Sequence, residues 1–251
     1  MFRRCALIVA ASLVSLNIAP EALRADAHLE EFVDEGNRLA ALLRAGRGVV
    51  SVNQDLINNP DIADKGLDAE TFLAAVHEQY RDAYGTGPLD GDLSDEQRRL
   101  TQAQLDAMGE IIDENQDLIN SEGLGFKGFI PAVFARLVNE RFGEKLGGSA
   151  TMKVTAPPEL VRNRKARPDA WEAAVIDERF QSGDWTEGEA FFEEIASDGD
   201  ARFRMLIPEY YGASCLTCHG GPKGEVDITG FPKEGGAAGD LAGAISITLR
   251  Q

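Results

Sequence analysis

Thiols and imidazoles are scarce in this chain, whose 251 residues include three cysteines and three histidines. A structural zinc centre needs four ligands, and outside one short cluster only Cys5, His28 and His77 are on offer, so a zinc fold is excluded. Basic residues are also in deficit, 25 against 42 acidic ones, for a net charge of −17. That balance serves solubility, speaks against nucleic acid or anionic membranes, and favours a basic partner through steering that weakens with salt. Long apolar runs are missing too. The stretch from Cys5 to Ala19 is broken by Ser12, Ser15 and Asn17, and it falls short of the roughly 20 residues of a membrane span.

Met1-Phe2-Arg3-Arg4 before that stretch and Ala25-Asp26-Ala27 after it give it the layout of an export signal. Residues 1–27 are therefore expected to be removed, leaving a periplasmic chain that starts at His28 and does not insert in a membrane. Removal takes away Arg3, Arg4 and Arg24 against Glu21 and Asp26, which makes the mature chain more acidic still. Cys5 goes as well, and both remaining thiols lie in the short cluster.

That cluster is Cys215-Leu216-Thr217-Cys218-His219, the C-x-x-C-H pattern of covalent c-type haem attachment. The order suits the chemistry, because two thiols add to the two vinyl groups and the following histidine becomes the proximal iron ligand. A redox dithiol would sit at the start of a helix, yet Gly220-Gly221-Pro222 follow and do not begin one easily. A disulfide across two intervening residues would be strained and would leave His219 without a role. The expected cofactor is haem c, held by Cys215 and Cys218 and ligated by His219.

Upstream the apolar periodicity is helical. Phe32, Leu39, Leu43, Val50 and Ile57 share a seam with Gly36, Gly46 and Asn53, which predicts one long helix over 29–58 that stops before Pro60. A shorter helix over 69–80 follows, capped by Asp68. Ser94 and Gln97 form a capping-box pattern for a second long helix that ends near Asn120. The run Asn53-Gln54-Asp55-Leu56-Ile57-Asn58 recurs as Asn115-Gln116-Asp117-Leu118-Ile119-Asn120, and the same register carries Lys65-Gly66 onto Lys127-Gly128 and Phe72 onto Phe134. Residues 28–92 and 93–148 are accordingly two copies of a long helix, a loop and a short helix. Their seams are expected to meet each other or to join a homodimer, with Asn53 and Asn115 fixing register.

After Gly147-Gly148 the period changes. Strands are predicted over 151–155, 188–196, 201–208 and 241–249, with a helix over 169–180 and a turn at Ser197-Asp198-Gly199-Asp200. The fold class is α+β.

These residues resemble the bacterial PAS-like c-type haem domains, a family long catalogued as a domain of unknown function and found alone or fused to sensor kinases and chemoreceptors. The resemblance rests on Gly125-Phe126-Lys127-Gly128-Phe129-Ile130-Pro131, on Arg162-Asn163 through Pro168-Asp169-Ala170-Trp171-Glu172, and on Arg204-Met205 through Tyr210-Tyr211. It also rests on Cys215 to Gly220 together with Gly239 to Ser246. It covers roughly residues 93–251 and implies that 149–251 is a PAS-like antiparallel sheet carrying haem, with 93–148 packed on it.

Two departures matter. Arg164 stands where the family usually has proline, and many members place a cysteine resembling a distal thiolate ligand near the position of Asn115. The side of the iron opposite His219 is then either open, walled by Ile112, Asn115 and Ile119, or filled by a methionine, with Met205 ahead of Met152 and Met108. His77 is a further option. Arg162 and Arg164, in the dense basic run with Lys165 and Arg167, are candidates to pair with haem propionates.

The expected function is one-electron transfer or redox sensing with a basic partner protein. The alternative is haem-based detection of a small gas at an open site, reported to a separate protein. No acid or base is assigned beside the iron, so an enzyme is not expected.

Overall fold

The computed structural model describes residues 20–197 and 200–250, so residues 1–19 of the expected export signal and the tip of the expected 197–200 turn lie outside the described residues. The first helix, α1, spans Pro20–Val52 and is followed after one residue by the single turn α2, Gln54–Ile57. Next come α3 (Ala69–Tyr84), α4 (Asp95–Glu114), α5 (Gln116–Ile119) and α6 (Pro131–Lys145). The two predicted long helices are thus each interrupted at an asparagine. Asn53 has ψ near 8° and Asn115 near 9°, and each side-chain amide donates back to the carbonyl four residues earlier, Asn53 to Val49 at 2.8 Å and Asn115 to Ile111 at 2.7 Å. Such back-bonding competes with the helical ladder.

What stabilises both interruptions is reciprocal. Gln54 donates to the Phe129 carbonyl at 3.0 Å, and Gln116 donates to the Leu67 carbonyl at 2.9 Å. Likewise Asn58 accepts from the Lys127 amide at 2.9 Å while Asn120 accepts from the Lys65 amide at 3.0 Å. Each segment's polar end is satisfied by the other. The seams meet within the chain as well: a Cβ added at Gly46 would lie 3.0 Å from both the Met108 sulfur and Phe134. The seam expected to serve a homodimer is therefore interior, because glycine and methionine there close the α1–α4 crossing.

Helix α4 starts as its sequence requires. Ser94 Oγ accepts from the Gln97 amide at 3.2 Å and Gln97 Oε1 accepts from the Ser94 amide at 3.0 Å, satisfying two donors that the first turn leaves free. Ser94→Ala should lower unfolding free energy by about 1 kcal/mol, read as an earlier denaturant midpoint with unchanged slope.

The remaining elements form a four-stranded antiparallel sheet in the order β1-β4-β3-β2, made by Ala150–Thr155, Leu241–Arg250, Asp200–Tyr210 and Phe191–Ser197 respectively. Strand alternation sends Phe203, Met205, Ile207, Ile245 and Ile247 into the core shared with α1, α4 and α6. The opposite face places Leu206 and Ala244 under α7 (Ala170–Val175) and the π-helical turn Ile176–Phe180 that continues it. The helical and sheet segments, divided at 148/149 in sequence terms, share one buried cluster. No described helix is long and apolar enough to cross a membrane.

Met205 belongs to that cluster. It is fully buried, pairs in register with Ile247 and Phe192, and leaves no room for a Cβ at Gly36 of α1. Its sulfur packs at the helix–sheet contact, against Gly36 of α1.

Candidate functional site

Strand β3 ends in a register shift between Glu209 and Tyr210. Its exit is fixed from α1, since Arg44 Nε and Arg47 donate to the two Glu209 carboxylate oxygens at 2.7 and 2.6 Å. The chain then makes a 3-10 turn over Ala213–Cys215 and one α-helical turn, α8, over Leu216–His219. Residues three and four apart lie on the same side of a helix, so Cys215, Cys218 and His219 share one face. Both cysteines are free and partly exposed. The turn stops at Gly220, where a Cβ would strike the Leu216 carbonyl.

The glycine-rich loop after it folds back on the turn. Gly236 donates to the His219 carbonyl at 2.8 Å and Gly235 to the Gly220 carbonyl at 3.1 Å. Gly236 has to be small, since its Cβ would come within 2.7 Å of the Tyr211 ring. That ring lies against the His219 imidazole with centroids 5.1 Å apart and planes inclined by 24°. Burial, with the Glu234 charge adding to it, pushes the Tyr211 hydroxyl up to about 12.

The loop also supplies the group that orients the imidazole: His219 Nδ1 lies 2.9 Å from Glu234 Oε2. Glu234 is held in turn by Arg162, whose Nε and Nη2 reach its two oxygens at 2.7 and 2.9 Å. Burial would raise the Glu234 carboxyl, but hydrogen bonds from Arg162 and His219 keep it below its usual range. An ionised carboxylate only accepts, so Nδ1–H is the donor in this contact and Nε2 is the nitrogen left for another partner.

Arg162 extends the arrangement further. It donates to Asp227 Oδ2 at 2.7 Å and to the Cys218 carbonyl at 3.0 Å. Asp227 itself accepts from the Thr229 hydroxyl and from the amides of Thr229 and Phe231. Burial opposes its ionisation, yet those bonds and Arg162 hold it far below the usual carboxylate range. Burial and the neighbouring Asp227 push the Cys218 thiol up. Two thiols and one imidazole therefore lie on one short turn, a set of groups that could form two covalent links and one bond to a metal.

Of the residues singled out in the sequence, Cys215, Cys218, His219 and Arg162 come together. Arg162 does so in a different role from the one expected, because its donors serve Asp227, Glu234 and the Cys218 carbonyl rather than a free anion. Arg164 stays exposed on a 3-10 turn over Arg164–Ala166. Met108 and Met152 are core residues like Met205. Ile112 and Ile119 are fully buried in the helix–sheet core, and the Asn115 amide is used at its helix break, so the wall imagined from these three belongs to the helical core. The residues not foreseen are Glu234, Asp227 and the stacking role of Tyr211. Their signal was weak, for these contacts join loops and strand ends that carry no periodicity, and Arg162 lies 65 positions from Asp227.

No curated protein and no solved structure matches the chain. A family model described as Tll0287-like matches residues 89–250, a span that runs from the loop before α4 through the turn bearing Cys215, Cys218 and His219 to the last strand. Because the match covers more than half of the sequence, the chain belongs to the Tll0287-like family.

Proposed function

We propose that this is an exported c-type haem protein that transfers single electrons or senses redox state. The observation that carries the reading is the single helical turn on which Cys215, Cys218 and His219 share a face, with His219 Nδ1 engaged by Glu234 so that Nε2 is left for iron. Cys215 and Cys218 would hold haem c through two thioether bonds and His219 would ligate its iron. When bound, the group supplies one-electron Fe(III)/Fe(II) exchange, with a potential set by its ligands, hydrogen bonds and burial. The chain's own part is to anchor, orient and wall the site: Tyr211 flanks the imidazole, Gly236 admits that ring, and Arg162 ties the loop to the motif. The haem-bearing sheet corresponds in this reading to the PAS-like fold of its relatives. Residues 28–148 act as a duplicated helical support, an idea favoured by the reciprocal Gln54–Phe129 and Gln116–Leu67 bonds. The acidic surface favours a basic electron partner.

The test is maturation of the exported protein in cells competent to attach haem. Intact mass and the absorption spectrum should show one covalent haem in the wild type, none in Cys215→Ala/Cys218→Ala, and loss of the axial histidine signature in His219→Ala. Wild-type protein without covalent haem would end the proposal. Adding carbon monoxide to the reduced protein separates the two uses. An unchanged spectrum supports electron transfer, and a shifted one moves the function to small-gas detection reported to a separate protein.

A further inference from the structure

Glu234 lies in the loop between α8 and β4 and reaches back fifteen residues to His219. It is not free to swing away. Its side chain is 16% exposed and takes two hydrogen bonds from Arg162, which is itself anchored on Asp227 and on the Cys218 carbonyl. A carboxylate that accepts from the far nitrogen of a metal-bound histidine fixes the tautomer and raises the basicity of the ligating nitrogen. The Arg162 ion pair fixes where that carboxylate sits.

We infer that Glu234 is a positioning residue for His219, set in place by Arg162, and that it makes Nε2 a more anionic donor which favours the oxidised iron. This rests on the haem reading above and goes beyond it by naming the group that sets the poise of the couple. An anionic donor stabilises Fe(III) over Fe(II), so the charge and hydrogen bond of Glu234 lower the reduction potential. Tyr211, stacked on the same imidazole, keeps the ring plane from rotating off the carboxylate.

The experiment uses full-length matured protein, with haem content first verified by mass. Potentials are then read by mediated electrochemical titration for wild type, Glu234→Gln, Glu234→Asp and Glu225→Gln. Glu225 sits in the same loop with its carboxylate on Lys233, 2.9 Å away, and its variant removes the same formal charge without touching His219. Glu234→Gln should favour reduction by about tenfold, which is about 59 mV for a one-electron couple. Glu225→Gln should stay within twofold of wild type, and Glu234→Asp should recover part of the loss. The ferrous iron–histidine stretching frequency should fall in Glu234→Gln alone.

Equal shifts in Glu234→Gln and Glu225→Gln with an unchanged stretch would overturn the inference, leaving only a general charge effect. Should Glu234→Gln fail to mature, the wild-type stretch decides: a value above that of haem bound by neutral imidazole supports the inference, and an equal value overturns it. Absence of haem from the wild type would show instead that the underlying functional reading is wrong, and the mass measurement registers that separately.

Discussion

Glu35→Gln is expected to stabilise the protein by about 3 kcal/mol at pH 7 and to do almost nothing near pH 4.5. Glu35 lies on α1 and is 3% exposed, and among the described residues neither of its carboxylate oxygens has a hydrogen-bond partner. Burial pushes its carboxyl up to about 8; the charges of Glu96 and Glu31 add to this while Arg38 and Arg99 oppose it. Tyr80, on α3, senses the same Glu35 and Arg38 charges. The neighbouring crossing is polar but incompletely satisfied, since Gln104 donates to the Leu39 carbonyl at 3.0 Å while its own oxygen and the Thr101 hydroxyl have no partner among the described residues.

The direction follows from proton counting. Above pH 4.5 the unfolded chain releases this proton and the folded protein keeps it, so folding stability falls with rising pH until the folded group also ionises at about 8. Each pH unit inside that window costs about 1.4 kcal/mol. Glutamine has no proton to keep, so the wild-type slope should be absent from the variant. Denaturant unfolding at pH 5, 7 and 8 checks this, and a difference between the two proteins that does not change with pH would sink it. On the acid side the sign reverses. Asp169, Asp227 and Glu234 sit below their usual range, so the stability they contribute is present above the unfolded carboxylate range and is lost as pH falls through their folded values. The two trends act on opposite sides, so stability falls both on acidification through those carboxylates and on raising the pH past the point where Glu35 ionises in the unfolded chain.

What was legible in the sequence was local. The Ser94–Gln97 and Asp169–Glu172 capping boxes each close within four residues; the alternation of Leu241–Arg250 marked a strand but not its burial, since Ala244 and Ser246 are buried as well as Ile245 and Ile247. The motif was legible for the same reason, since both thiols and the imidazole lie within one helical turn. The helix breaks at Asn53 and Asn115 were not. Helical periodicity runs through both asparagines, and what stabilises the breaks is a distant carbonyl, that of Phe129 for Gln54, seventy-five positions away. Where Met205 packs was not legible either, because proximity in sequence to Cys215 carries no information about which face of β3 a side chain takes. Alternation assigns it the Phe203 and Ile207 face, where α1 lies. Glu234 and Asp227 sit among glycines with no period to mark them, and only the folded loop brings them to Arg162.

That dependence on Arg162 sets the largest expected effect of all. Arg162→Met leaves Asp227, whose side chain is 1% exposed, and Glu234 without their cation. Removing one partner of a buried pair costs about 3–5 kcal/mol because the remaining charge stays desolvated. Here the cost can be relieved locally, by opening the loop over 220–236 rather than unfolding the helix–sheet core. Amide hydrogen exchange in that loop should therefore accelerate by about two to four orders of magnitude, with little change in α4 or β4. The Gly236–His219 and Gly235–Gly220 bonds that fold the loop back should lose protection together, since one guanidinium holds both the Cys218 carbonyl and Glu234. Arg164→Met removes an equal charge from the exposed turn two residues on and should leave the loop as it was. Matching exchange rates in the two variants would mean that the loop holds itself by its backbone bonds alone. A strong loss in Arg162→Met with none in Arg164→Met would make this single arginine the fastener between the loop and the cysteine–histidine turn, with Glu234 carried to His219 as a consequence.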